Sequence, residues 1–174
     1  MAIRGKRQST NKNDPILLND TSRIVSKYRP DGIYRLDIER AIKENGINLK
    51  KDPNLPQMIS GCLQKGNDGW TISVNANHNP KRQRFTMAHE FAHYCLHKND
   101  NDSFEDGIFF RTDNSDSREY AANRFASEIL MPATDVKSLI ASGILNIAKL
   151  STIFDVSLMA IKTRISELGY KTTK

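Results

Sequence analysis

Residues 84–97 read Arg84-Phe85-Thr86-Met87-Ala88-His89-Glu90-Phe91-Ala92-His93-Tyr94-Cys95-Leu96-His97. The spacing inside this stretch decides how the rest of the chain is read. On an α-helix, residues i and i+4 share a face, about 6 Å apart at a rise of ~1.5 Å per residue. His89 and His93 can therefore point two imidazoles at one ion. Glu90 stands ~100° around the helix from His89, within reach of a water held by that ion. Phe85, Ala88, Phe91, Ala92 and Leu96 mark the helix as buried, and two histidines and a glutamate in a buried helix need polar partners. A metal supplies them. A helical His-Glu-x-x-His run is a zinc motif with the glutamate as general base, and its chemistry is metal-assisted hydrolysis, most often of a peptide bond.

A catalytic zinc takes three protein ligands and leaves one position for water. His97 continues the i, i+4 stripe but lies eight residues from His89, ~12 Å along a straight helix, too far for ~2 Å bonds to one ion. Tyr94, Cys95 and Leu96 offer no turn that could bring it back, so His97 is read as bonding locally at the helix end. His78, in a polar loop before the helix, is a weaker candidate. Glu119 is the favoured third ligand. It opens a second helical segment that runs to Met131 and is ended by Pro132, with Ser115, Asp116 and Ser117 as possible N-caps. Ala122, Phe125, Ala126, Ile129 and Leu130 form its apolar stripe. Glu119 and Asn123 share a face, so Asn123 can bond a ligand imidazole from behind. Glu128 and Asp116 remain alternatives to Glu119.

These two helices resemble the signature of the ImmA/IrrE family of metallo-endopeptidases. Arg84-Phe85-Thr86-x-Ala88-His89-Glu90-x-x-His93, with His97 following, is similar to that family's zinc helix. Glu119-x-x-Ala122-Asn123-x-Phe125-Ala126, running to Leu130-Met131-Pro132, is similar to its third-ligand helix. The resemblance spans residues 36–169 and implies that the third ligand is Glu119. Where the family often carries a second acidic residue, this chain has Ala121, so one carboxylate serves. The resemblance further implies a zinc-dependent endopeptidase acting on a helix-turn-helix transcriptional repressor and thereby lifting repression.

The 174 residues allow one core, or one core with a small appendage. No run approaches ~18 apolar residues, so no membrane span is expected. The basic, polar N-terminus is not a secretory signal, and a cytoplasmic protein is expected. Cys62 and Cys95 are read as free thiols, with Cys95 turned away from the metal into the core. The net charge of +6 can steer the protein toward nucleic acid or an acidic partner without proving either.

The fold expected is α+β: a zincin-like core with a small antiparallel sheet packed on the His-Glu-x-x-His helix, then a C-terminal helix-turn-helix-like segment. Three divisions are expected: a basic flexible tail over 1–19, the metallopeptidase core over 20–132, and the helical appendage over 133–174. Asp20 or Thr21 caps a first helix through Tyr28, and Asp37 caps a second to Asn45. Strands are expected at 47–51, 58–65 and 69–76, the last two joined at Gly66-Asn67-Asp68. Alternation puts Trp70, Ile72, Val74 and Ala76 toward the helix and Thr71, Ser73 and Asn75 away from it. The edge of that strand, Ser73 to Asn77, is the expected aligner of an extended substrate. Asn77 to Arg84 reads as a basic loop, and Lys98 to Ser117 as an acidic solvated link in which Gly107–Phe110 is a short strand or apolar lip. Asp135 caps a helix to Ser142. Ile147, Leu150 and Phe154 line the next, and Leu158, Ile161, Ile165 and Leu168 the last, which exposes Lys162 and Arg164.

In the mechanism these residues imply, His89, His93 and Glu119 hold Zn2+, Glu90 moves the proton, and Arg84, Tyr94 or Tyr120 stabilises the oxyanion. A second function class is a DNA- or protein-binding regulator using the C-terminal helices, with a structural or vestigial metal site. Direct DNA binding is the less favoured partner, and an intact Glu90 argues against a dead site.

Overall fold

The structure is a computed structural model that describes residues 3–4, 15–98, 103–106 and 113–172. The chain divides into two compact units, one formed by residues 37–126 and the other by residues 1–36 with 127–174. The division expected from composition, at residues 19 and 132, groups the segments differently: the first helix falls with the C-terminal helices.

The unit of residues 37–126 carries the sheet and the His-Glu-x-x-His helix. Helix α2 (Ile38–Glu44) starts on the Asp37 cap, whose side chain accepts from the Arg40 N–H. It ends at Gly46, whose φ of +73° is the left-handed conformation that closes a helix. Strands β2 (Asn48–Asp52), β3 (Gly61–Gly66), β4 (Gly69–Asn75) and β5 (Ser103–Asp106) form one sheet in the order β2-β4-β3-β5. The α+β class is the expected one, but the sheet is mixed rather than antiparallel throughout. β2 pairs parallel to β4, with Leu49 opposite Ile72, because the 53–60 segment carries the chain across before β3 begins. β3 and β4 form the expected hairpin, with Gly66 opposite Gly69 across Asn67-Asp68. β5 lies within the link expected to be a solvated loop; it pairs antiparallel to β3. Gly107–Phe110 lies outside the described residues.

This topology overturns the substrate-edge expectation. β4 is bonded on both sides, to β2 and β3, so its main chain has no edge to offer. Asn75, expected to face solvent, is fully buried. Its amide nitrogen donates to the carbonyls of Leu55, Pro56 and Ile59 at 3.2, 3.0 and 3.0 Å. Buried amides persist when their bonding capacity is filled; this one anchors the irregular segment before β3.

Helix α3 (Pro80–His97) starts earlier than expected, since residues 80–84 are helical rather than loop. Asn79 caps it by accepting from the Lys81 N–H, and Pro80 takes the first position, where its missing N–H costs nothing. The helix packs on β3 and β4. Leu63, Ile72 and Val74 from the sheet, and Ala88, Phe91 and Ala92 from α3, are all at most 1% exposed. Each large aliphatic side chain buried this way contributes roughly 1.5–3 kcal/mol. The approach is close enough at one point to require glycine. A Cβ on Gly61 would stand 2.5 Å from Thr86 Cγ2 and 2.7 Å from the Ser73 carbonyl oxygen.

Helix α4 (Asp113–Leu130) also starts early, so Ser115, Asp116 and Ser117 lie inside it rather than capping it. Its stripe of Ala122, Phe125, Ala126, Ile129 and Leu130 is buried as expected. Cys62 is buried and Cys95 exposed, both as free thiols. The core reading of Cys95 is therefore wrong: it lies in the last turn of α3, where the neighbouring side chains are also partly exposed.

In the other unit, α1 (Pro15–Tyr28) begins inside the expected tail, ahead of Asp20 and Thr21. Ile3–Arg4 (β1) pairs antiparallel with Lys171–Thr172 (β6). The rest of the tail reading, residues 1–2 and 5–14, lies outside the described residues. Helix α5 (Ala133–Ala141) has Pro132 at its N-cap and Asp135 in its first turn, not at the cap. Helix α6 (Ile147–Phe154) ends at Asp155 in the left-handed conformation, φ +52°. Ser157 then caps α7 (Leu158–Glu167) by accepting from the Ala160 N–H. Ile147, Leu150, Phe154, Ile161 and Ile165 are buried as expected, while Leu158 is 51% exposed because it opens α7. Arg164, expected on the outer face, is 7% exposed. It pairs with Glu128 and donates from Nε to the Met131 carbonyl at 3.0 Å. Among the described residues, no helix is long and apolar enough to cross a membrane.

Candidate metal centre

α3 and α4 bring three side chains to one point. His89 Nε2 and His93 Nε2 are 3.0 Å apart. Glu119 reaches both rings, with Oε2 at 3.2 Å from His89 Nε2 and Oε1 at 3.1 Å from His93 Nε2. A tetrahedral ion with bonds of ~2.0–2.1 Å holds its donors ~3.3 Å apart. The His–His distance and the two His–Glu distances, which end on different Glu119 oxygens, are all close to that spacing, so two nitrogens and one carboxylate oxygen can take three corners and leave the fourth for water or substrate. Two neutral imidazoles and a carboxylate are a donor set that zinc accepts. The residues present therefore fit the ion that the motif implies. Among the described residues this is the one cluster of histidine, cysteine and carboxylate groups able to hold a metal.

The imidazoles are buried, their side chains 5% and 2% exposed, whereas that of Glu119 is 44% exposed. Partial burial alone raises the Glu119 pKa, but hydrogen bonds and charge from His89 and His93 outweigh it and hold the carboxyl far below its ordinary range. The charged form of Glu119 is thereby favoured. Asn123, one turn on along α4, places Oδ1 3.1 Å from His89 Nδ1. An amide oxygen only accepts, so His89 Nδ1 carries a proton and donates to Asn123, which leaves Nε2 as the nitrogen turned toward Glu119 and His93. Glu90, next to His89 on α3, is fully buried.

The other residues singled out in the sequence lie elsewhere. His97 ends α3, its ring 5.7 Å from that of His93, and is not among the gathered donors. His78 bonds through Nε2 to the Gln57 carbonyl at 3.0 Å. Glu128 is paired with Arg164 and also accepts from the Ala133 N–H at 3.1 Å, which removes it as an alternative ligand. Arg84 is buried at 7% exposure on α3 and Tyr120 is 60% exposed beside Glu119. Tyr94 meets Trp70 edge-on at 5.9 Å and stacks on Phe91 at 6.4 Å.

Residues 43–166 match the family model Peptidase_M78, the IrrE N-terminal-like domain. This chain belongs to that family. Membership in a peptidase family agrees with the motif, the gathered donors and the resemblance noted above. No curated protein matches the sequence. Among solved structures, the chain is similar to a Mycobacterium tuberculosis transcriptional regulator, with a TM-score of 0.65 and 19% identity. The similarity covers 87% of this chain and 46% of that one, so this Peptidase_M78 member spans less than half of the regulator's length. At such identity the likeness shows the fold.

Proposed function

We propose that this Peptidase_M78 member is a zinc-dependent endopeptidase. The observation that carries the reading is the convergence of His89, His93 and Glu119 to edges of 3.0–3.2 Å from two separate helices. A structural pairing of the two helices has no need of three ligand atoms meeting at one point. Zinc held by these residues would supply a Lewis acid for the scissile carbonyl and bring the pKa of a water from 15.7 toward ~7. Glu90, fully buried beside His89, would take a proton from the attacking water and return it to the leaving amine. His89 and His93 fix the position of the reaction on α3, and Asn123 holds His89 in the tautomer that directs Nε2 inward. The exposed side of Glu119 faces the solvent from which substrate arrives.

The sheet supplies the substrate's track. β2 and β5 are its edges among the described strands. β5 packs against α3, so an extended segment adding to β5 runs beside the metal helix. Proline scanned through residues 103–106 removes main-chain donors and raises KM while zinc content stays constant; unchanged KM throughout removes β5 from substrate binding.

A helix-turn-helix repressor is the proposed protein substrate, on the strength of the ImmA/IrrE resemblance. Its cleavage would relieve repression and make the enzyme a transcription regulator acting in the cytoplasm. Direct reading of DNA by α7 is not favoured, because Arg164 is turned inward to Glu128 and Met131. The test is incubation of the zinc-loaded protein with a helix-turn-helix repressor encoded beside it. A discrete cut that a chelator abolishes supports the proposal. An intact repressor, together with an uncut peptide library, rejects it.

A further inference from the structure

Asn123 has a chemical consequence beyond orientation. The second ring nitrogen of a metal-bound imidazole usually donates to a carboxylate, a backbone carbonyl or a water. A carboxylate draws on the ring proton and makes the imidazole a stronger base and a stronger ligand. The Asn123 amide, 3.1 Å from His89 Nδ1, fixes the ring without that push. The same helix that supplies this neutral partner also supplies Glu119, whose side chain keeps 44% of its exposure while the imidazoles keep 5% and 2%. The site is thus built in two parts: a buried imidazole pair, and a carboxylate open to solvent.

We infer that Asn123 is a positioning residue that sets the His89 tautomer while holding the grip on the metal below what a carboxylate there would give, so that zinc exchanges with solution past Glu119. This rests on reading the cluster as a metal site. The chain spends binding strength on exchange and Lewis acidity: a less basic imidazole leaves more positive charge on the ion it holds.

Wild type, Asn123→Asp and Asn123→Leu are compared for Zn2+ affinity by competition with a chromophoric chelator, and for the rate of Zn2+ release. Asn123→Asp is expected to bind about tenfold tighter and release more slowly, and Asn123→Leu to bind roughly 10- to 100-fold more weakly. A purely structural side chain does not give a gain from one change and a loss from the other. Should Asn123→Leu fail to fold, the Asn123→Asp arm decides alone. Unchanged or weaker binding in Asn123→Asp overturns the inference. So does wild-type affinity in folded Asn123→Leu. If wild type itself binds no Zn2+, the proposed function falls too; if wild type binds it and the variants match, only this inference falls.

Discussion

Gly61→Ala tests whether the sheet positions the metal helix. The added methyl would lie 2.5 Å from Thr86 Cγ2 and 2.7 Å from the Ser73 carbonyl oxygen. The first contact is about 1 Å inside the ~3.5–4.0 Å at which carbon atoms normally meet. Thr86 is 4% exposed and β-branched, so its methyl has little room to rotate away. The Ser73 oxygen belongs to β4, bonded on both sides, and cannot recede alone. α3 or β3 must shift by several tenths of an ångström. Overpacking of this kind costs roughly 1–3 kcal/mol. Against it stands the ~0.4–1 kcal/mol that a glycine-to-alanine change gains by restricting the unfolded chain. The clash wins, and a net loss of about 1–2 kcal/mol is expected. Thr86 lies one turn before His89, so the shift also reaches the imidazole, and Zn2+ affinity should fall with stability. Urea denaturation and chelator competition measure the two effects. A Gly61→Ala protein with wild-type midpoint and affinity would refute the claim that β3 sets the place of α3.

Glu90→Gln keeps the ligand set and removes the proton carrier, so zinc content should stay at wild-type level while cleavage falls by at least ~10²-fold. Glu119→Ala should lose zinc affinity and cleavage together; zinc retained at normal affinity would remove Glu119 from the site. Arg164→Met leaves the Glu128 charge in a largely buried setting with the Ala133 N–H but no cation beside it, which should cost about 3 kcal/mol in urea denaturation. Adding Glu128→Met should recover most of that loss, since the stranded charge is the larger part of it. Zinc affinity should weaken as pH falls, because protons compete with the metal for the ligand nitrogens. Glu119 is held below the ordinary carboxylate range, so it stays charged above that range and loses its contribution only as pH drops through its lowered value. No further step is therefore expected near pH 4–5 when chelator competition is followed from pH 8 to 4; a clear step there would show Glu119 titrating normally.

The metal helix was legible because its chemistry is local. His89 and His93 share a face by helical spacing alone, as do Glu119 and Asn123 on a second helix, while the choice of Glu119 over Glu128 and Asp116 leans on the family resemblance. The turn at Asn67-Asp68 and the cap at Asp37 follow equally local rules. Long-range pairing was not legible. Nothing in Asn48–Asp52 distinguishes a parallel neighbour from an antiparallel one, and the link containing β5 is so acidic that composition hides a strand. Asn75 and Arg164 show the same limit for polar residues. Their residue types suggest exposure, yet each is buried because distant carbonyls or a distant carboxylate satisfy it. The start of α3 is hidden for a different reason: Asn79-Pro80 is a helix-opening pair, but the charged residues after it resemble a loop.

The central claim concerns three atoms and one ion. Anomalous-difference crystallography of zinc-loaded protein at the zinc edge tests it most directly. The account predicts a single peak ~2.0–2.2 Å from His89 Nε2, His93 Nε2 and a Glu119 carboxylate oxygen, with a solvent ligand at the fourth corner. Zinc bound elsewhere, or no peak between α3 and α4, would contradict it.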